Sequence, residues 1–361
     1  MNIAHITESK GVSGGTEQLS MLAAGLRKNG HTVYLICRPG SMTGELLGDA
    51  GINVEYVPMR QDYDVFSALK VRKFLREKKI DILHSHHSRA HSIGLIAALG
   101  MDSVKFAVTR RVIFRLRKNI FSVLKYKSKR IDRYIAVSAA VKKNLTDYGI
   151  DGKRVSVIYS ATDTERFTPA IKTDLRRRLG LSESDFVCCM AGNYSRYKGH
   201  DIFLLAASEI LKKYPNTKFL IAGKADDSLS VLARKLKIEN SVIFLGFRRD
   251  VPEVLKASNL LVCPSLQEGL AGAVREAMSV GLPSVVTDAG GNAEIVRDEE
   301  TGFLVEPGNP HEIADSVAYL IENPRRAAEM GAAGRKRVIE NFSAGAMLSR
   351  HEKLYSELMN E

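Results

Sequence analysis

Thirteen short runs rich in Val, Ile and Leu, separated by stretches of helical periodicity, constrain this 361-residue chain more than any other feature. In the first half they fall at 2–7, 32–38, 53–58, 81–86, 105–109, 133–138 and 155–159. In the second half they fall at 186–192, 218–223, 242–246, 260–264, 284–287 and 303–305. Most are apolar at every position rather than at alternate ones. Such a strand is buried on both faces, which is the environment of a parallel sheet covered by helices. The pattern predicts an α/β protein of two doubly wound domains in tandem. The boundary is expected at 162–170, where Asp163, Pro169 and a change of charge balance follow the last strand of the first half. The domains are then 1–165 and 166–340, with a helix over 343–358, inside a terminal segment 341–361, closing the chain.

Charge divides the same way. The chain carries 53 basic and 41 acidic side chains, a net +12. Residues 1–165 hold the whole surplus, with 27 basic and 15 acidic groups, while the remainder is balanced. Within 105–133 there are 11 basic residues against Asp132. An anionic partner is expected there. Cys37, Cys188, Cys189 and Cys263 lack metal-ligand spacing and read as buried, reduced thiols, which suits a cytoplasmic location. No basic region followed by an apolar core opens the chain, and no apolar run reaches membrane-spanning length. No segment is therefore expected to cross a bilayer.

In open α/β sheets ligands sit beyond the carboxyl ends of the strands, so the residues just after each strand are the informative ones. After the first strand, Gly11, Gly14 and Gly15 precede Glu17 and an amphipathic stretch. They read as an anion-approaching loop at a helix N-terminus or as a plain glycine turn. The spacing is not that of a dinucleotide fingerprint. After the fourth strand come His84, His86, His87 and His91. They read as a metal cluster or as substrate-facing or structural histidines. Asp62 and Asp64 precede a helical stretch and read as an N-terminal cap. In the second half, Arg196 and Lys198 flank a glycine turn that opens a helix, a combination suited to a diphosphate or to a solvated basic loop. After the run at 260–264, a loop carries Glu268 and Gly269, and a helix is expected over 271–280, stopped by Gly281 and Pro283. The amides of Gly269, Leu270 and Ala271 are placed to face an anion, with Glu276 inside the helix.

Glu268-Gly269, Glu276-Ala277-Met278, Gly281-x-Pro283 and Asp288-Ala-Gly290-Gly291-x-x-Glu294 together resemble retaining glycosyltransferases of the GT-B fold, family 4. The resemblance extends through Gly14-Gly15-Thr-Glu17, His84 to His87, Arg196-x-Lys198-Gly199, Thr301-Gly302 and Gly331-x-x-Gly334-Arg335, covering nearly the whole chain. It implies two Rossmann-like domains facing across a cleft, the first binding the acceptor and the second a UDP- or GDP-type sugar nucleotide. The terminal helix would cross back onto the first domain. Arg196 and Lys198 would hold the diphosphate, Glu276 the ribose, and Glu268 the donor-sugar hydroxyls. His86 would face the sugar, and Gly14 and Gly15 would approach the diphosphate or the acceptor. Transfer would retain anomeric configuration, would use no metal and no tightly bound cofactor, and would need no carboxylate nucleophile. A GT-B fold also serves sugar-nucleotide epimerases and phosphorylases, and a soluble small-molecule acceptor is an alternative.

Residues 110–130 place Val112, Ile113, Leu116, Ile120, Val123 and Leu124 on one helical face, and Arg111, Arg115, Lys118, Lys125 and Lys129 on the other. Phe114 and Phe121 fall between them. This reads as a basic amphipathic helix docking on an anionic membrane surface, or as a surface helix packed on the sheet. No nucleic-acid motif accompanies the charge. The expected acceptor is a lipid-linked or lipopolysaccharide-type glycan, with the enzyme peripheral on the inner face of the cytoplasmic membrane.

Overall fold

The structure, a computed structural model, describes residues 1–11, 13–113 and 119–361. The chain divides into two compact units, one of Met1–Ala161 with Ala344–Glu361, the other of Thr162–Ser343. All thirteen apolar runs contain strands, in two sheets whose pairings are parallel throughout.

The first unit runs β1 (Asn2–Ile6), α1 (Gly14–Lys28), β2 (Thr32–Cys37), α2 (Met42–Asp49), β3 (Asn53–Tyr56), α3 (Val65–Glu77), β4 (Ile82–Ser85), α4 (Ser88–Ala98), β5 (Lys105–Arg110), α5 (Ile120–Tyr126), β6 (Arg133–Ala136), α6 (Ala139–Asp147) and β7 (Val155–Val157). The sheet order is β3-β2-β1-β4-β5-β6-β7. The chain winds outward from β1, then returns to its other side at β4, so the loops after β1 and β4 diverge and leave a crevice. Ile3 lies beside both Val33 and Ile82 in register. All three are buried, as continuous apolar strands require. Helix α1 buries Leu19, Leu22, Ala23 and Leu26, one face at helical spacing. Ser13 caps it in a reciprocal box with Thr16. Asp64 caps α3 by accepting from the Ser67 amide, as the sequence pattern anticipates.

The second unit runs α7 (Leu175–Arg178), β8 (Phe186–Ala191), α8 (His200–Lys213), β9 (Thr217–Ala222), α9 (Asp227–Lys235), β10 (Val242–Gly246), α10 (Val251–Ala257), β11 (Leu260–Cys263), α11 (Gly272–Val280), β12 (Ser284–Thr287), α12 (Asn292–Ile295), β13 (Phe303–Val305), α13 (Pro310–Glu322) and α14 (Pro324–Asn341). Its sheet order is β10-β9-β8-β11-β12-β13, with the winding reversing between β8 and β11. Its core joins Phe203, Phe219, Leu260, Val262, Val285 and Val317. Helix α11 ends where Gly281 turns left-handed at φ 89°, the stop that glycine permits at low cost.

The last helix, α15 (Ala344–Asn360), belongs to the first unit. Met347, Leu354, Tyr355 and Leu358 join the core formed by Leu19, Leu26 and Leu35. All four cysteines are free and buried. No helix among the described residues is long and apolar enough to cross a membrane.

The single amphipathic helix expected over 110–130 is not what forms. Arg110 ends β5, residues 111–113 are not helical, and the helix begins only at Ile120, capped by Asn119. Phe114, Arg115, Leu116 and Lys118 lie outside the described residues. Polarity on α5 departs from the reading of a helix with its apolar side packed on the sheet. Lys125 is buried, donating to the Ser88 carbonyl at 2.5 Å and its hydroxyl at 3.0 Å. Ile120, Phe121 and Leu124 are instead more than 60 % exposed, at 68 %, 62 % and 64 %. The expectation assumed one uninterrupted helical phase, and the strand end together with a late helix start resets it.

Candidate functional site

In the second unit, Lys198 and Glu268 come from the loops after β8 and β11, the neighbouring strands at that sheet's switch point. Lys198 Nζ lies 2.5 Å from Glu268 Oε1, and Ser265 Oγ donates to the same oxygen at 2.9 Å. Burial opposes the ammonium charge of Lys198, but the Glu268 carboxylate outweighs it, and the lysine pKa is raised. The Leu266 amide donates to the Tyr197 carbonyl at 2.7 Å, tying the two loops together. Gly199 makes the approach possible. Its φ is +68°, and a Cβ there would lie 2.0 Å from the Pro264 carbonyl oxygen.

Arg196 shares the loop but is exposed. Its guanidinium sits 4.6 Å above the Tyr197 ring and donates to that hydroxyl. Asn193 Oδ1 accepts the Lys224 amide at 2.9 Å and so fastens the loop. Helix α11 starts at Gly272 with Ala271 as an N-cap that no side chain bonds. The free amides at a helix start belong to the cap and the next three residues. Of the three expected amides, that of Ala271 therefore belongs to this end, followed by those of Gly272, Ala273 and Val274, while Gly269 and Leu270 precede it on the loop. Glu276 is half-buried on α11, its Oε1 3.7 Å from where a Cβ on Gly272 would stand. A cation, a carboxylate and a helix N-terminus thus converge beside the ends of two strands. That combination binds a polyanion carrying hydroxyls.

In the first unit, Gly14 and Gly15 open α1. A cavity of about 480 Å³ lies beyond β1, β4 and β5, lined in part by Gly15, His86, His87, Arg110, Arg111 and Tyr126. His86 is only 3 % exposed. Arg111 Nη2 lies 3.0 Å from His86 Nδ1, and Nη1 donates to the His86 carbonyl at 3.1 Å. A guanidinium only donates, so His86 Nδ1 accepts and its Nε2 carries the proton. That Nε2 lies 2.9 Å from His5 Nδ1, which must accept, leaving the His5 proton on Nε2. His84 lies 2.7 Å from the Tyr355 hydroxyl and 2.6 Å from Thr109 Oγ1. Both His86 nitrogens are therefore engaged, in contrast to a ring presented to a sugar. The nitrogens of His5, His84 and His86 lie within 4.8 Å of one another, close enough for a shared metal ion. Each ring of His84 and His86 is nevertheless already saturated by protein partners. Burial holds His5 down to about 3, His351 to about 4, and His84, His86 and His91 well below 6.5. In this arrangement the cluster is neutral, and His86 holds the Arg111 guanidinium. Sequence reading set Arg111 on the basic face of a surface helix rather than in this cavity, and it did not single out Thr109 or Tyr355. The end of β5 marks Arg111 and Thr109, whereas the return of the terminal helix, implied by the resemblance, does not say that Tyr355 meets His84.

Two family descriptions match the chain in tandem: Glycosyltransferase Family 4 over residues 12–166, and Glycosyl transferases group 1 over residues 171–337. The chain is 28 % identical to the Escherichia coli UDP-Gal:alpha-D-GlcNAc-diphosphoundecaprenol alpha-1,3-galactosyltransferase, over 99 % of this chain and 97 % of that protein. It is 25 % identical to the Bacillus anthracis N-acetyl-alpha-D-glucosaminyl L-malate synthase, over 83 % of this chain and 80 % of that one. The fold matches Anabaena HepE in complex with UDP at a TM-score of 0.86, with 23 % identity, over 99 % of this chain and all (100 %) of that chain. With two parallel doubly wound sheets and both halves matched in order, the chain belongs to the GT-B-fold glycosyltransferases of family 4.

Proposed function

We propose that this glycosyltransferase moves a sugar from a UDP- or GDP-type sugar nucleotide onto a lipid-linked glycan, with retention of anomeric configuration and without a divalent metal. The observation that carries the donor half is the Lys198–Glu268 pair beside the start of α11. When a diphosphate arrives, Lys198 exchanges its carboxylate partner for phosphate oxygens, and Glu268 is released toward the sugar hydroxyls. Arg196 swings from Tyr197 to add a second cation. As the sugar–phosphate bond breaks, negative charge grows on the leaving oxygens, and these cations with the Ala271 to Val274 amides stabilise it. Glu276 receives the ribose hydroxyls. The leaving phosphate takes the acceptor proton, so attack occurs on the same face as departure.

The lipid-linked acceptor has two supports. The E. coli relative names a diphosphoundecaprenol acceptor. The first unit also exposes an apolar patch. The Tyr63 ring packs 5.8 Å from Phe121, joining the start of α3 to α5. Phe66, 83 % exposed, stands on the same stretch as Tyr63, near exposed Lys70 and Lys73. Aromatic and aliphatic side chains flanked by lysines suit the interface of an anionic bilayer, here on the cytoplasmic side. The test is transfer of labelled sugar from a donor panel into organic-extractable lipid, followed by NMR of the new anomeric centre. Label in a lipid glycan with the donor's configuration supports the reading, and label confined to water-soluble product contradicts it.

A further inference from the structure

Arg110 and Arg111 both line the cavity of the first unit. Arg110 ends β5 with Nη1 3.3 Å from the Tyr126 hydroxyl. Arg111 follows, and its guanidinium donates to the carbonyl and the ring of His86. Arg111 Nε is buried with no hydrogen-bond partner among the described residues. The rings packed nearest it are neutral, and burial pulls the guanidinium down to about 10 with no carboxylate opposing that shift. Lys125 is buried against Ser88 beside the same cavity. Asp62 and Glu8 favour the charge of Lys125, and among the described residues Glu8 is the one carboxylate lining the cavity. Its two oxygens accept the amides of Arg89 and Ala90, at 3.1 and 3.0 Å, and so cap α4. A charge withdrawn from water without a counter-charge is costly, and the cost is recovered when an anion enters.

We infer that this cavity binds a phosphoryl group through Arg110 and Arg111, with His86 as the positioning residue that aims the Arg111 fork. Two guanidiniums from successive residues line this cavity and offer planar donors to phosphate oxygens, and the neutral His87 ring, whose Nδ1 lies 2.7 Å from Thr7 Oγ1, contributes no negative charge. The inference rests on the transferase reading in one respect. If the donor diphosphate occupies the second unit, the phosphoryl group bound here belongs to the acceptor, as a phosphate or diphosphate ester.

The test is calorimetric titration of the full chain with inorganic pyrophosphate, with and without a saturating nucleoside diphosphate. A second arm measures retention on phosphatidylcholine vesicles carrying a polyprenyl diphosphate, against phosphatidylcholine alone. Pyrophosphate is expected to bind the nucleotide-saturated protein. The expected loss is about tenfold or more in Arg111→Gln and in Arg110→Gln, the scale of a lost charge-assisted contact, with nucleotide affinity unchanged. His86→Gln, which retains a donor and an acceptor, should lose less than His86→Leu. Preferential retention on the diphosphate vesicles assigns the site to a lipid ester, and equal retention assigns it to a water-soluble phosphate. Abolition of pyrophosphate binding by nucleotide, or unchanged binding in both arginine variants, overturns the inference. Failure of nucleotide binding alone would overturn the donor reading and leave this site standing. Circular dichroism of each variant separates lost binding from lost fold, and Arg110→Gln decides if Arg111→Gln does not fold.

Discussion

Lys198 and Glu268 neutralise one another at 2.5 Å, with the carboxylate the more buried partner at 10 % exposure against 34 %. Removing the lysine strands a buried carboxylate. Lys198→Ala is therefore expected to destabilise the second unit by about 1–2 kcal/mol, below the cost of a fully buried pair because the lysine end meets solvent. Adding Glu268→Gln should recover part of that loss, as urea unfolding of the single and double variants would show. A shift in the double variant no smaller than in the single would refute the coupling. Gly199→Ala should be more damaging, by at least about 2–3 kcal/mol, since the left-handed backbone and the Pro264 carbonyl both reject a methyl. The positions of these residues beyond strand ends were legible in the sequence, because strand ends can be located from apolar runs. Their mutual pairing was not, because Lys198 and Glu268 are 70 positions apart and meet only when β8 and β11 become neighbours. The same holds for Arg111 and His86, joined across β4 and β5.

Elements were read well where burial alone decides them and poorly where phase decides them. The strands of both sheets are apolar throughout, so no register error could hide them. Helix α5 was different. A periodicity drawn over 110–130 presumes one helix, and the strand that claims Arg110 invalidates it. The consequence is measurable. If Phe66 and Phe121 contact a bilayer, Phe66→Ser with Phe121→Ser should abolish flotation with anionic vesicles while leaving the melting temperature nearly unchanged, because both side chains are exposed in the folded chain. Unchanged flotation would rule the patch out. The terminal helix α15 was legible as a helix, and the family resemblance implied its return to the first domain, but not which side chains it buries there. Leu358 is fully buried there. Leu358→Ala should cost about 2–4 kcal/mol in the first unit, readable by hydrogen exchange in β1 and α1.

At the scale of the whole molecule, the two units differ in what they bury. The first encloses His5, His84, His86, His91 and His351, whereas the second encloses His200. Each of the five has a folded-state pKa below the ordinary 6.5, so as pH falls the unfolded chain takes up protons first. Stability of the first unit is then complete above 6.5 and lost as pH drops toward 4 and 3, each ring contributing up to about 1.4 kcal/mol per pH unit. Hydrogen exchange across an acid titration should show the first unit opening before the second, and simultaneous opening would contradict this. The surplus of positive charge belongs to the same unit, which holds 29 basic side chains against 16 acidic ones. Part of it forms the cavity and much of the rest is surface. In the proposed function, by contrast, the donor chemistry falls to Lys198, Glu268, Glu276 and the start of α11 in a nearly charge-balanced second unit. The direct test of that assignment is slow nucleoside diphosphate release from a panel of UDP- and GDP-sugars without acceptor. One donor is predicted to release nucleoside diphosphate, with loss of release in both Glu276→Ala and Lys198→Ala. Release unaffected by either variant, or conversion of the donor to another sugar nucleotide with no diphosphate freed, would contradict it.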